Sequence, residues 1–151
     1  MSTTDKLTAI LKSTHPEDLD AFFGEHWDAI LSDSRPFAAY MRTLLRAKGV
    51  KQSEMFIRAD VPEHYGYRLV SEERHTSRRD VILRLCIGGG LTLEETQKAL
   101  KLYGMSPLYP RIPRDAVLMA AVNNGSCDVN DADALLQKHG LPLLEKCGNA
   151  D

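Results

Sequence analysis

Apolar residues along this chain recur every three to four positions, and no stretch alternates with the period of two that a half-buried strand requires. Leu7, Ile10 and Leu11 mark a short first helix. Leu19, Phe22, Phe23, Trp27, Ile30 and Leu31 share one face of a second, opened by His15-Pro16-Glu17-Asp18. Ser34 and Pro36 start a third, whose stripe is Phe37, Tyr40, Met41, Leu44 and Leu45, and Gly49 is placed to end it. Gln52 to Ala59 predicts a short helix with Met55 and Phe56 turned inward. The pattern then breaks once, at Ala59-Asp60-Val61-Pro62, and restarts at once. Val61 bridges the turn. Pro62 suits the first position of a new helix, where its missing N–H costs nothing. That helix is expected to run to about Glu73.

Ser77-Arg78-Arg79-Asp80 reads as a capping box before the apolar run Val81-Ile82-Leu83-Arg84-Leu85-Cys86-Ile87, which the glycines at 88 to 90 end. Thr92-Leu93-Glu94-Glu95 reads as a second capping box. It opens a helix with Leu93, Thr96, Leu100 and Tyr103 inward, stopped by Gly104. A proline-punctuated connector at 105–113, anchored by Leu108 and Tyr109, leads to residues 114–122. That segment is apolar on most sides and is expected to be central and buried. Val129, Ala132, Leu135 and Leu136 make a last helix closed by Gly140, with a loose tail after Leu144. The expected fold class is therefore all-α. Residues 1–33 form an N-terminal helical extension, 34–144 a helical domain, and 145–151 a flexible tail.

Composition narrows the chemistry. Hydrophobic residues make up 43% and charged residues 26%, the balance of a soluble globular domain. No apolar run reaches the roughly 18 residues of a membrane span, and the first ten residues do not read as a signal peptide, so no membrane contact and a cytoplasmic location are expected. Cys86, Cys127 and Cys147 stand far apart, with no CxxC pair to hold zinc and no even count for a disulfide framework. The glycine run follows a helix and lacks the GK[ST] of a phosphate loop. No catalytic motif is present. The chain is therefore not expected to be an enzyme or to carry a cofactor or metal.

Net charge is −2, but it is unevenly spread: residues 41–80 carry a local +3, while residues 1–40 carry −4 and 81–151 carry −1. The basic excess coincides with the broken helical pattern. Two short helices across a tight turn can brace one helix on a phosphate backbone and present the start of the other to base edges.

The run Arg46 to Glu54, then Ala59-Asp60-Val61, then Ser71 to Leu100 resembles the lambda-repressor-like, Xre-type helix-turn-helix family over residues 35–104. More narrowly, residues 64–122 are similar to small bacterial helix-turn-helix regulators, a resemblance that extends to about 144. The resemblance implies a lambda-repressor-like helix-turn-helix bundle with the N-terminal extension and additional C-terminal helices. It also implies double-stranded DNA as partner and a homodimer on two half-sites. Carried over by position, the phosphate-bracing glutamine is Gln52. The base-reading positions are Pro62, Glu63, His64 and Tyr65, with Arg68 one turn on. The loop contacts are Arg74, Ser77 and Arg78, and Arg79 adjoins them at the helix start. The chain departs from the family pattern at Glu63, at Gly66 where an apolar residue is usual, and at Glu72-Glu73 where glycine is common. Tyr65 or Tyr67 is the candidate to fill the space left at Gly66. These acidic residues favour an alternative, a non-enzymatic adaptor that keeps the scaffold but binds a protein partner.

Overall fold

The protein's structure, a computed structural model, describes the backbone of residues 3–147 and the side chains of 4–26 and 35–147. Among the described residues it contains helices and no strand. The helices are α1 (Thr3–Lys12), α2 (Leu19–Ser34), α3 (Pro36–Lys48), α4 (Gln52–Ala59), α5 (Glu63–Val70), α6 (Arg79–Gly88), α7 (Leu93–Leu102), α8 (Pro113–Asn123) and α9 (Val129–Lys138), with one 3-10 turn at Pro16–Asp18. The all-α expectation holds. The side chains of Trp27, Ile30 and Leu31, expected on one face of α2, lie outside the described ones, as does that of Ser34. In the described part of α2, Phe22 is buried and packs edge-on to Phe23, and the helix kinks at His26.

The centre of the molecule is α6. Every residue from Asp80 to Gly88 is buried, so the helix is covered all round and not along one stripe. Residues 114–122, expected in this position, form most of α8 instead, where Leu118, Ala121 and Val122 are buried and Ala120 is exposed. α9 packs along α8, and Val117 and Met119 are only partly buried against the core. α4 packs on α6 more extensively than any other pair of helices. Gly88 makes this possible: a Cβ there would lie 2.9 Å from the Ala59 N and Cβ and closer still to the Met55 carbonyl oxygen. Cys86 sits in this core as expected, and burial pushes its thiol up to about 12.

Local chemistry sets the ends. Gly49 takes φ +68, and its N–H and that of Val50 fold back on the Arg46 and Leu45 carbonyls, closing α3. The capping box of α7 is complete: Thr92 Oγ1 accepts from the Glu95 N–H at 3.2 Å, and Glu95 Oε1 accepts from the Thr92 N–H at 2.9 Å. The box expected at Ser77–Asp80 does not form. α6 is capped at Arg78 without a side-chain cap, and the Thr76 hydroxyl accepts the Arg78 N–H from outside the helix. Asp80 is drawn away to Arg114. Gln97 clamps the 105–113 connector, giving its Nε2 to the Leu108 carbonyl and accepting the Leu108 N–H.

The segment after α9 is docked on the core at Leu144 and Glu145. Leu144 is buried and donates its N–H to Asp133 at 2.9 Å. Arg84, only 2% exposed, gives Nε to the Glu145 carbonyl, one Nη to Leu144 and the other to Ala59 at the end of α4. Burial of a guanidinium demands such satisfaction. Leu144 and Glu145 supply two of its three acceptors.

Candidate nucleic-acid interface

α4 and α5 are joined by Asp60-Val61-Pro62. Asp60 takes φ +52, ending α4, and the Val61 N–H turns back to the Phe56 carbonyl. Val61 is buried beneath the turn. Pro62 stands at the cap position and α5 begins at Glu63, one residue later than expected. α5 stops at Val70, not near Glu73, because Glu72 takes φ +60. Only a reversal of this kind lets its carboxylate swing onto the N-terminus of α3, where it accepts the Ala38 N–H at 3.1 Å. Glu72 is thus a helix cap, and its charge is answered by α3. Glu73 faces Arg68 at 3.9 Å.

Gly66 leaves no gap. A Cβ there would lie 2.6 Å from the Phe56 ring, so the missing side chain is what seats α5 on α4. Neither tyrosine fills the position. Tyr67 packs edge-on to Phe56 at 4.9 Å and remains 44% exposed, and Tyr65 is half-buried with Arg74 lying 5.9 Å over its ring.

The inner side of α5, Gly66, Leu69 and Val70, is buried, while Pro62, Glu63 and His64 at its start are exposed. Gln52, half-buried at the start of α4, opens with Tyr67 and Ser71 into a groove of about 350 Å³ floored by Ala38 and Val70. Its walls carry Arg35, which caps α3, and Arg42 within that helix. The sequence reading missed these two. The signal was their spacing of seven, which keeps them on one side of a helix opposite the Phe37 and Met41 stripe.

The downstream cations are placed differently. Ser77 is exposed. Arg78 is exposed, 3.8 Å from Glu145 and within 3.5 Å of the Lys146 carbonyl. Arg79 turns inward. It forms a two-pronged pair with Asp115, which is 1% exposed, and reaches the Ser106 and Pro107 carbonyls. Arg114 answers from α8 with a two-pronged pair to Asp80 at 3.0 and 2.7 Å. Two Arg-Asp dipeptides therefore cross-pair, clasping α6 to α8. Arg114 also holds the Pro142 and Leu143 carbonyls, and Asp80 accepts the Glu145 N–H.

Burial opposes ionisation of Asp80. The Arg114 hydrogen bonds, the Glu145 N–H and the charges of Arg114 and Arg79 outweigh it and hold the carboxyl below its usual range. Glu95 is lowered too: burial again opposes, and Lys48 at 2.7 Å with the Thr92 N–H prevails. A carboxyl with a depressed folded value stabilises the fold above its unfolded value, about 4, and that contribution drains away as pH falls through the folded value. Thermal melts should therefore be insensitive to these groups from neutrality to about pH 5 and fall below about pH 4. Asp80→Asn should give a shallower acid dependence from a lower plateau. An acid limb of unchanged steepness in that variant would rule out Asp80 as a contributor.

No group of three or more His, Cys, Asp or Glu side chains converges on a metal position among the described residues. No helix among them is long and apolar enough to cross a membrane. No family model matches the chain, and neither does any curated protein or solved structure.

Proposed function

We propose that the chain is a sequence-specific DNA-binding regulator with a lambda-repressor-like core. In this reading α3 to α7 are the bundle, α4 braces on the phosphate backbone through Gln52, and α5 enters the major groove. One observation carries it: the leading turn of α5, at Pro62, Glu63 and His64, is open to solvent while the inner side of that helix, Gly66, Leu69 and Val70, is rooted in the core. A groove reader needs that combination of a rigid seat and a free leading turn. The acidic residues near it weigh less than their number implies, because Glu72 is consumed as a cap and Glu73 faces Arg68. A homodimer would place two such turns about 34 Å apart, one helical repeat. Ile10, Leu11 and Phe23, exposed on α1 and α2, offer apolar surface of the kind a dimer covers.

The test is selection of genomic fragments with the purified protein, followed by titration of the winning duplex. Affinity should fall with salt, by about 0.9 log unit per log unit for each phosphate contact. His64→Ala and Arg68→Gln should change which sequences are preferred, each by about 1–3 kcal/mol at the base pair concerned. Recovery of no enriched fragment, or variants with unaltered preference, would overturn the docking.

A second reading, recognition of a protein partner, is favoured by Ile57, which is 81% exposed beside Pro62. It lies five residues from Gln52, about 140° around α4, so it points away from the bracing side. Absence of salt-dependent duplex binding would shift the weight to that side.

A further inference from the structure

The cations marked by the sequence and those left open by the fold are different sets. Arg68 faces Glu73, Arg74 lies over Tyr65, Arg78 faces Glu145, and Arg79 is bound to Asp115. At the head of α3 Arg35 is exposed, as is Arg42 within the helix, and among the described residues neither guanidinium has an acceptor or an ion-pair partner. They flank one groove, together with the Gln52 amide, the Ser71 hydroxyl and Tyr67. The carboxylate there is Glu73, already turned to Arg68.

We propose that Arg35 and Arg42 form the principal phosphodiester-binding pair of the protein, carrying one strand's backbone across Gln52, while Arg78 and Arg79 serve the fold. This rests on the DNA reading. Arg35 caps α3 and Arg42 lies about two turns into it, so the two backbone positions stand roughly 10 Å apart along the axis. Over that axial length one strand of a duplex presents about three phosphates. Two guanidinium forks mounted on backbone positions that far apart suit a repeating anion, and the planar fork suits phosphate oxygens in particular. The Gln52 amide and the Tyr67 hydroxyl in the same groove would complete the contacts by which proteins fix register on a backbone. Nothing in the groove distinguishes bases, so its role is affinity and orientation, with preference left to the start of α5.

The experiment is titration of the selected duplex and of an unrelated duplex between about 50 and 200 mM salt. The proteins compared are the wild type, Arg35→Gln/Arg42→Gln, Arg42→Gln alone, Arg35→Lys/Arg42→Lys and Arg78→Gln. The Gln pair should lose roughly 1.8 from the salt slope, and the single variant about 0.9. Both should weaken binding to the two duplexes by the same factor, at least tenfold for the pair. The Lys pair should keep the slope, which a merely structural role would not predict, and Arg78→Gln should change it by less than half as much as Arg42→Gln. Melting temperatures should be unchanged, since both side chains are exposed. If the wild type binds with a salt slope that the Gln variants retain, the pair is refuted and the DNA reading stands. If the wild type binds neither duplex, both fall together.

Discussion

Asp115→Ala should be among the most damaging single changes in the chain, costing about 3–5 kcal/mol of folding stability, the usual loss on removing one member of a buried ion pair. The carboxylate is 1% exposed and accepts both prongs of Arg79 and the Tyr109 N–H at 2.9 Å. Its removal strands a cation that the fold holds between α6 and α8, together with a backbone donor. For a domain of this size the expected fall in melting temperature is roughly 6–20 °C. Denaturant titration gives the free energy directly, through a lower midpoint at constant slope. Replacing both partners, Arg79→Met with Asp115→Leu, should recover the part of the loss that comes from the stranded cation, while the Tyr109 N–H still lacks its acceptor. A single variant within about 1 kcal/mol of wild type would show that the clasp is not holding the helices together.

The second large effect is expected at Arg84. Methionine has similar bulk, so Arg84→Met should leave little cavity, and the loss is one of hydrogen bonding. Three carbonyls lose their donor. Glu145 is exposed and can find water, but Ala59 and Leu144 are buried. Each buried orphan costs about 1–3 kcal/mol. Relief from desolvating a lone cation offsets part of this. A net cost of about 3 kcal/mol follows. The signature is spatial as well as energetic: residues 144–147 should become open to proteases while α6 stays protected. Arg84→Lys, with its charge but not the planar fork, should fall between the two. Wild-type stability and an intact tail in the methionine variant would show that the segment is held by its apolar contacts alone.

Much of the architecture was legible because helices write their own spacing. The stripe on α3, the Thr92–Glu95 box and the glycines at 49, 104 and 140 are local signals, each read within one or two turns. Their outcomes differ little from expectation. What was not legible is pairing over long separations. Nothing near Arg79 announces Asp115, thirty-six residues on. The same holds for Asp80 and Arg114. An arginine beside Ser77 and Arg78 therefore read as a phosphate contact, and Asp80 as a capping residue. Arg84 stands inside an apolar run with nothing to single it out, yet it is the residue that binds the segment after α9. The candidate interface was half legible. The turn at Asp60-Val61-Pro62 and the open start of α5 follow from propensity, whereas Arg35 and Arg42 become part of it only when α3 is laid beside α4 and α5. The acidic intrusion at Glu72 shows the converse. Its charge is visible in the sequence, but its role as a cap depends on where α3 begins in space.

The two left-handed residues that bracket α5 have a consequence for how the gene can drift. Asp60 and Glu72 hold a conformation that costs a non-glycine residue about 1 kcal/mol or more. Every aspartate and glutamate codon becomes a glycine codon by changing its middle base. At position 60 that single-base step relieves strain and removes no bond of the side chain. At position 72 the same step releases the Ala38 N–H at the head of α3. Variants carrying glycine at 60 should therefore accumulate freely, while those at 72 survive only where another residue takes over the cap.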